Sequence, residues 1–230
     1  MKRVVVFTGA GVSAESGIKT FRDSDGLWEN YNIQDVATPM AWQRDPALVL
    51  NFYNQRRKQV IDAKPNAAHL ALVELENAFH VQIITQNIDD LHERAGSKNV
   101  IHLHGEITKA RSEKDERLIY DLEHWEMSIG QTNERGHQLR PHIVWFGEMV
   151  PQMDNAALQA MKSDIFIVIG SSLEVYPAAG LVDYAPQNAL KFLVDPKAKG
   201  LSYIENLTII KETAGIAIPQ LVQKLIKENV

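Results

Sequence analysis

Residues 4–17, VVVFTGAGVSAESG, decide the fold of this chain. An apolar run that ends in a glycine-rich turn is typical of a buried parallel strand that leads into a nucleotide-binding loop. Side chains this small let backbone N–H groups approach a pyrophosphate at the start of a helix. The stretch matches only a G-x-G-x-x-A variant of the dinucleotide fingerprint, so a turn that simply joins strand to helix is the alternative.

The rest of the chain alternates short apolar runs with helical patterns, which predicts an α/β fold with a doubly wound, Rossmann-like parallel sheet. Such sheets bind ligands at the carboxyl ends of their strands. The predicted strands are Val4–Thr8, Val81–Thr85, Val100–His104, Ile143–Phe146, Ile165–Ile169, Phe192–Val194 and Leu207–Ile210. The predicted helices are Ala47–Ile61, Ala67–Asn77, Asn155–Met161, Ala178–Tyr184 and Ile216–Lys227.

Two segments interrupt this alternation. From Gly26 to about Lys64 we expect a loop and a helix without strands, and Ile107–Arg140 is polar with no strong period. We therefore predict a single domain, 1–230, with two parts. The large part comprises about 1–25, 65–106 and 141–230, and a small inserted subdomain comprises about 26–64 and 107–140.

Composition narrows the class of protein and its partners. The chain has 230 residues, a formal net charge of −5 and no cysteine. The charge gives no reason to expect nucleic acid or an anionic membrane as a partner, and the lack of cysteine removes disulfides and thiolate metal sites. The apolar run after Arg3 is too short for the core of a signal peptide, and no stretch is long enough for a membrane span. We therefore expect a cytoplasmic protein.

Polar residues follow two further predicted strands. Asn87 and Asp89 follow Val81–Thr85, where side chains converge on a ligand, although capping of the next helix is the alternative. His102 and His104 share one side of a strand, and such a pair either binds a metal or forms two half-buried, hydrogen-bonded side chains. A dehydrogenase would need a ribose-binding acid at a strand end, which this sequence does not place about 20 residues after the glycines. Hydride transfer is therefore disfavoured.

Taken together, these motifs resemble those of the sirtuins, a family of NAD-dependent protein-lysine deacylases. The resemblance covers nearly the whole chain except Ile107–Gln138. The segments that carry it, in order, are Gly9–Ile18 with Phe21-Arg22, Thr85–Asp89, His104-Gly105, Ile143–Glu148 and Gly170–Val175.

The resemblance implies NAD as the cofactor, acyl-lysine proteins or peptides as substrates, and a catalytic pair of His104, the general base, and Asn87. The cofactor-binding residues that it implies are Gly9, Ala10, Gly11, Ser13, Ala14, Glu15, Ile18, Phe21, Arg22, Gln86, Asn87, Ile88, Asp89, Gly170, Ser171, Ser172 and Ala214. Asp195 stands where sirtuins usually have asparagine, and we expect it to accept hydrogen bonds from the adenosine ribose. Phe146, Gly147, Glu148 and Val175 resemble the edges that hold the substrate peptide, with an ordinary edge and loop as the alternative.

The implied reaction begins when the acyl carbonyl oxygen attacks the ribose C1′ and nicotinamide leaves. His104 then helps the 2′-hydroxyl attack the resulting O-alkylimidate, and water releases lysine and O-acyl-ADP-ribose. Phe21 in a closing loop would exclude water, unless it is a core residue. Two other functions stay open, namely ADP-ribosylation of a protein and binding of NAD or ADP-ribose without turnover.

One departure from the family concerns zinc. Most sirtuins hold a structural zinc ion through two Cys-x-x-Cys pairs, and this chain has no cysteine. The positions of the later pair fall at Thr132 and Arg135, and those of the earlier pair fall near Ser112 and Asp115. We therefore expect no metal, with this segment held by packing. The side chains expected to pack are Leu118, Tyr120, Leu122 and Trp125.

The predicted helix Ala47–Ile61 places an arginine on an apolar face, with Val49, Tyr53, Arg56 and Val60 aligned. A buried guanidinium needs hydrogen-bond acceptors. One alternative is a carboxylate inside the protein, Asp62 or Glu74, and another is that the apolar stem of Arg56 is buried while its guanidinium reaches solvent. Tyr53-x-x-Arg56 also resembles the pair by which some sirtuins recognise the carboxylate of succinyl- and malonyl-lysine. The resemblance thus implies desuccinylation and demalonylation, with deacetylation as well.

Overall fold

The computed structural model describes residues 1–19, 27–28, 31–171, 173, 176–198 and 204–228. Its strands are β1 (Arg3–Thr8), β2 (Leu27–Trp28), β3 (Tyr31–Asn32), β4 (His80–Thr85), β5 (Val100–His102), β6 (Gly105–Ser112), β7 (Ile119–Asp121), β8 (Leu139–Ile143), β9 (Ile165–Ile169), β10 (Leu190–Val194) and β11 (Leu207–Ile210). Its helices are α1 (Ile33–Val36), α2 (Pro39–Arg44), α3 (Pro46–Asp62), α4 (Ala67–Leu75), α5 (Leu91–Ala95), α6 (Met153–Ala160) and α7 (Ala214–Glu228). Of the helices described, none has the length and apolar character needed to cross a membrane.

Six strands form one parallel sheet in the order β11-β10-β9-β1-β4-β5. Strand β1, near the centre of the sheet, is buried on both faces. Val4 and Val6 pack in one core with α4 and α7, whereas Val5 and Phe7 pack in a second core with α6. Burial on both faces explains why β1 is a continuous apolar run. The doubly wound parallel sheet predicted from the sequence is confirmed.

The order of the strands reverses beside β1. The chain runs from β1 to β4 and β5 on one side of β1, and it later places β9, β10 and β11 on the other side. In open α/β sheets a reversal of this kind opens a crevice at the carboxyl ends of the two central strands. Gly9 follows β1 and Gly170 follows β9, so the loops that begin at these glycines meet at that crevice.

A second, smaller sheet lies in the stretch for which we expected no strong period. Its antiparallel strands, in the order β7-β6-β8, pack in a third core with α1, α2 and α3. The prediction of a strandless stretch from Gly26 to Lys64 is also wrong, since β2 and β3 pair there. The boundaries predicted for the two parts of the domain stay a prediction.

Two predicted strands end elsewhere. The prediction of a strand at Ile143–Phe146 is wrong, because β8 ends at Ile143. Beyond it the chain leaves the sheet, and the backbone N–H of Phe146 donates to the carbonyl oxygen of Ala37. The strand predicted to reach His104 ends at His102, since Gly105 turns the chain with φ of +80°. The helix predicted at Ala178–Tyr184 has those bounds but is a 3₁₀ helix.

Candidate active site

A cleft at the crevice brings together residues from the strand ends, from α3 and from the segment after β8. Predicted site residues that line it are Ala10, Ser13, Ile18, Tyr53, Arg56, Gln86, Asn87, Ile88, Asp89, His104, Phe146, Gly147 and Glu148. Four other predicted site residues, Phe21, Arg22, Ser172 and Val175, lie outside the described residues.

The glycines of the first loop allow two loops to cross in contact. The backbone N–H of Gly11 donates to the carbonyl of Gly170 at 2.9 Å, and a Cβ at Gly11 would lie 2.6 Å from the Gly170 Cα. Gly170 itself has φ of +59°. The helix expected after the turn takes the form of two 3₁₀ helices, Ala10–Val12 and Ala14–Ser16. Close approach of backbone to backbone is thus one reason that these positions are glycine.

Three predicted polar side chains form one hydrogen-bonded unit at the strand ends. The Ser13 hydroxyl donates to Asp89 Oδ2 at 3.0 Å and accepts from Asn87 Nδ2 at 3.1 Å. Asp89 Oδ1 accepts the backbone N–H of Leu91 at 3.2 Å, so Asp89 also supports the start of α5. Burial raises the pKa of the Asp89 carboxyl against the opposing effect of these bonds. The unit holds side chains from two loops against one another.

Two buried threonines and a histidine form hydrogen bonds that support this unit from the ends of β1 and β4. Thr85 Oγ1 accepts the backbone N–H of Asn87 at 3.0 Å and the Thr8 hydroxyl at 2.8 Å. The Thr8 oxygen also lies 3.1 Å from His92 Nε2. Thr8 and Thr85 are paired in register at the ends of β1 and β4. The sequence analysis did not predict this support. The two threonines are far apart in the sequence, and only the pairing of β1 with β4 brings them together.

His104 has the geometry of a neutral base. Its Nδ1 lies 3.0 Å from the backbone carbonyl oxygen of Gln86. A carbonyl only accepts, so Nδ1 carries the proton and Nε2 is left as the acceptor. Burial lowers the pKa of His104 below its ordinary 6.5, and the bond to Gln86 opposes this only in part. An imidazole in this state can take a proton at neutral pH.

His102 lies in the opposite environment. Its Nε2 lies 2.8 Å from Glu93 Oε1, and its Nδ1 lies 3.1 Å from the carbonyl oxygen of Asn87. Burial alone would lower its pKa, but the hydrogen bond and the charge of Glu93 outweigh burial and raise the pKa of His102 above 6.5. These contacts agree with a hydrogen-bonded structural histidine.

Gln86 contributes a donor to the cleft. Its Oε1 accepts from the Ser171 hydroxyl at 3.4 Å, whereas its buried Nε2 has no hydrogen-bond partner among the residues that the structure describes. A buried donor without a partner costs free energy unless a ligand or water accepts from it. Gln86 is therefore suited to contact a polar cofactor.

Two predicted cofactor residues bond within the protein. Glu15 accepts from the Thr213 hydroxyl at 3.3 Å and from the backbone N–H of Gly215 at 2.6 Å, which ties the first loop to the start of α7 beside Ala214. Asp195 Oδ1 accepts the backbone N–H of Lys197 at 2.7 Å. The cofactor roles of these residues stay predictions, as do those of Gly9 and Ala14.

Helix α3 supplies the other side of the cleft. It spans Pro46–Asp62, one residue longer at each end than the predicted Ala47–Ile61, and the Asp45 side chain accepts the backbone N–H of Leu48 at its N-cap. The predicted face is buried, with Tyr53 at 0% and Arg56 at 4% exposure. Arg56 Cζ lies 5.8 Å from the centroid of the Phe52 ring.

Neither of the carboxylates considered as internal partners, Asp62 and Glu74, has a recorded contact with Arg56. Glu74 is exposed and accepts from Gln223 Nε2 on α7 at 2.7 Å. Asp62 is exposed at the last residue of α3. The Arg56 guanidinium is buried beside the Phe52 ring and lines the cleft.

The Glu148 carboxylate, predicted to bind substrate, is occupied inside the protein. It accepts from Arg140 through both oxygens at 2.9 Å, from Arg111 at 3.1 and 3.2 Å, and from the backbone N–H of Trp145 at 2.8 Å. A peptide contact from Glu148 would therefore use its backbone. Phe146 is 46% exposed at the rim, which suits a peptide-binding edge.

The segment where relatives would hold zinc is joined by polar contacts. Ser112 Oγ lies 3.2 Å from His137 Nδ1, and an Arg135 nitrogen lies 3.8 Å from Asp115 Oδ2. Within the described part of the chain, no group of three or more histidine, aspartate or glutamate side chains could hold a metal ion. The absence of a bound metal stays a prediction.

Helix α3 also holds this segment. Arg57 donates to the carbonyl oxygens of Ile107 and Trp125, and the Asn54 side chain exchanges two hydrogen bonds of 2.9 Å with the backbone of Met127. Met127 is buried, whereas Trp125 is 40% exposed. Of the side chains expected to pack here, Tyr120 and Leu122 lie against the core shared with α1, α2 and α3, whereas the Trp125 ring lies outside that core, its centroid 5.5 Å from Lys58 Nζ. The missed signal was the second arginine of α3, next to Arg56.

Comparisons with known proteins identify the family. The Sir2 family model matches residues 9–177. Proteins named NAD-dependent protein deacylase are 51% identical, one from Bacteroides thetaiotaomicron over 98% of this chain and 99% of its own, and one from Helicobacter pylori over 99% of both. A solved structure described as a Sir2 homolog–NAD complex has a TM-score of 0.90 at 40% identity, covering 100% of this chain and 91% of that chain. The chain therefore belongs to the Sir2 family, the sirtuins, as its motifs predicted.

Proposed function

We propose that this NAD-dependent protein deacylase removes succinyl and malonyl groups, and also acetyl groups, from lysine side chains. The observation that carries the proposal is that Arg56 and Tyr53, buried on one face of α3, line the same cleft as His104. The relatives' names support the deacylase activity. Acyl-lysine proteins or peptides in the cytoplasm are the proposed substrates, and neither nucleic acid nor a membrane is a proposed partner.

The chemistry of Arg56 and Tyr53 supports the choice of acyl group. A guanidinium donates to a carboxylate through two parallel N–H groups, and a charge-assisted bond of this kind is stronger in a site shielded from water. Burial raises the pKa of Tyr53, which keeps the phenol protonated and able to donate. Succinyl and malonyl groups end in a carboxylate that can accept both contacts. An acetyl group is small enough to enter but gains neither.

The residues at the strand ends fit NAD as the second substrate. When bound, NAD supplies an activated ribose carbon from which nicotinamide departs. The Ser13–Asn87–Asp89 unit presents hydrogen-bonded polar groups at the crevice, and Gln86 adds a buried donor. His104 Nε2 would accept the proton of a ribose hydroxyl.

Two other functions would use parts of the same site. ADP-ribosylation would direct the activated ribose to a different acceptor, and a binding module would hold NAD without turnover. The neutral His104, held with Nε2 as an acceptor, favours turnover because binding alone needs no base. The carboxylate-recognising pair on α3 favours an acyl-lysine acceptor.

Mass spectrometry of the reaction products tests the proposal. The purified chain would be incubated with NAD and one peptide sequence carrying succinyl-, malonyl- or acetyl-lysine. We expect O-succinyl-ADP-ribose, O-malonyl-ADP-ribose and O-acetyl-ADP-ribose, with free lysine in step with nicotinamide. ADP-ribose on protein would instead show transfer, and unchanged NAD would show binding alone. Release of acetyl only would contradict the proposed acyl specificity.

A further inference from the structure

A buried hydrogen bond joins the proposed acyl pocket to the segment after β8. The Trp145 indole Nε1 lies 3.1 Å from the Tyr53 hydroxyl oxygen, although the two residues are 92 positions apart in the sequence. Their exposures are 2% for Trp145 and 0% for Tyr53. An indole N–H only donates, whereas a phenol both donates and accepts. The Tyr53 oxygen is therefore the acceptor in this contact, and the phenolic proton is directed away from Trp145.

Trp145 is held at both its ring and its backbone. Arg140 Cζ lies 3.5 Å from the centroid of the indole ring, and the same guanidinium bonds to Glu148. The Trp145 backbone N–H donates to the Glu148 carboxylate at 2.8 Å, which also accepts from Arg111. Rotation of the indole would disturb this charged cluster, so the donor to Tyr53 has a fixed position.

We propose that Trp145 is a positioning residue for acyl selectivity, which orients the Tyr53 hydroxyl so that its proton is presented to the acyl carboxylate. This inference rests on the proposed assignment of Tyr53 and Arg56 to that carboxylate. The cluster of Arg111, Arg140 and Glu148 acts one step further away by holding Trp145.

The position of this contact predicts which kinetic constant changes. Tyr53 contacts the far end of the acyl group and not the reacting carbonyl, so its contact is the same in the bound substrate and in the transition state. Loss of such a contact raises KM and leaves kcat unchanged. A hydroxyl that can turn must be ordered when the substrate binds, which weakens binding. Acetyl-lysine has no carboxylate, so its constants should not depend on this orientation.

The Trp145→Phe variant keeps a ring and removes the N–H. We expect KM for the succinyl peptide to rise about threefold to tenfold, the range that one neutral hydrogen bond supports, with kcat and both acetyl constants within about twofold. Trp42→Phe is the matched control. Trp42 belongs to the same core and its ring centroid lies 5.9 Å from that of Trp145, but it makes no hydrogen bond to Tyr53 in the described structure. It should leave the ratio of succinyl to acetyl activity unchanged.

A double-mutant cycle shows whether Trp145 acts through Tyr53. Tyr53→Phe alone should raise KM for the succinyl peptide by at least as much as Trp145→Phe, and the double variant should equal Tyr53→Phe. If Trp145→Phe fails to fold, Trp145 alone can be replaced by 3-benzothienylalanine, which keeps the shape of the ring and has sulfur in place of the N–H. We expect the same selective rise in KM for the succinyl peptide.

Each outcome decides a different claim. Additive effects in the cycle, or equal losses of succinyl and acetyl activity in Trp145→Phe, would overturn the positioning role. So would a Trp42→Phe variant with the same selective loss. A ratio of succinyl to acetyl activity that is unchanged in both Tyr53→Phe and Arg56→Met would instead reject the proposed acyl recognition. A ratio lowered in those two variants and unchanged in Trp145→Phe would reject only the inference about Trp145.

Discussion

The strand-end side and the α3 side of the cleft are built in different ways. At the strand ends, Ser13, Asn87 and Asp89 come from two loops and bond to one another. On the other side, Tyr53 and Arg56 come from one helix and lie among aromatic rings. The first arrangement holds polar groups from two loops against each other, whereas the second places a cation and a phenol from one helix beside aromatic rings, with the phenol bonded to the Trp145 indole.

This difference separates two tasks. In the proposed function, the groups at the strand ends would serve a step that every substrate shares, so their loss should lower deacylation of all peptides alike. The α3 side would add a contact that only an acyl group with a carboxylate can make, so its loss should change the ratio of succinyl to acetyl activity.

The largest effect is expected at the strand-end side. His104→Ala removes the proposed base, and loss of a general base typically lowers the rate about 10²- to 10⁴-fold. The loss should be the same for succinyl and acetyl peptides, with NAD affinity nearly unchanged in calorimetric titration, because the proposed base would act on the bound ribose and would not hold the cofactor. Activity within about threefold of the wild type would refute the assignment.

The next effect contrasts two neighbouring arginines of α3. Arg57 bonds to Asn54 and to the carbonyl oxygens of Ile107 and Trp125, so Arg57→Met leaves buried acceptors without partners. We expect a loss of unfolding free energy of about 3 kcal/mol, since each such group costs about 1–3 kcal/mol. Urea unfolding measures this. The succinyl-to-acetyl ratio of the folded fraction should stay unchanged, and a changed ratio at full stability would contradict the division of roles between Arg56 and Arg57.

The large sheet could be predicted because its strands carry their own signal. Ile165–Ile169 is apolar throughout, since both faces of β9 are buried. The small sheet could not be predicted in this way. Its strands β6 and β8 contain Lys109, Arg111 and Arg140, whose charges hide any alternation, and their partners lie in a distant part of the chain.

The candidate site divides similarly. The residues next to strand ends, such as Asn87 and His104, follow from motif and topology together. The role of Trp145 does not, although it lies inside a quoted motif, because its indole donates to a tyrosine 92 positions away. Likewise, the helical period placed Arg56 on the apolar face with Tyr53 but gave no role to Arg57. Tertiary packing directs one to the cleft and the other to the small sheet.

A smaller effect concerns pH and separates the two histidines near the strand ends. Burial lowers the pKa of His104, so its basic form should persist as the pH falls below 6.5 and be lost only at the lowered pKa. The acid limb of kcat/KM for the acetyl peptide should therefore have its midpoint below 6.5. His102, whose pKa Glu93 raises, would give a midpoint above 6.5. A limb centred above 6.5 would point away from His104.

The smallest expected effect is that of metal removal. With no cysteine in the chain, we expect no stoichiometric zinc and no change of melting temperature with chelators. The contacts of Ser112 with His137 and of Asp115 with Arg135 join parts of this segment. Plasma emission spectroscopy that finds about one zinc per chain would overturn this expectation.

The separation of reaction and selectivity is tested most directly by one competition assay. Wild type and Arg56→Met would each receive NAD with equal amounts of succinyl- and acetyl-lysine peptides of one sequence, and the two products would be measured by mass spectrometry. A hydrogen bond to a charged group contributes about 1.5–3 kcal/mol, so the succinyl-to-acetyl ratio should fall at least tenfold in Arg56→Met while acetyl release stays close to that of the wild type. An equal fall of both products would show that Arg56 is structural, and an unchanged ratio would show that the α3 side does not select the acyl group.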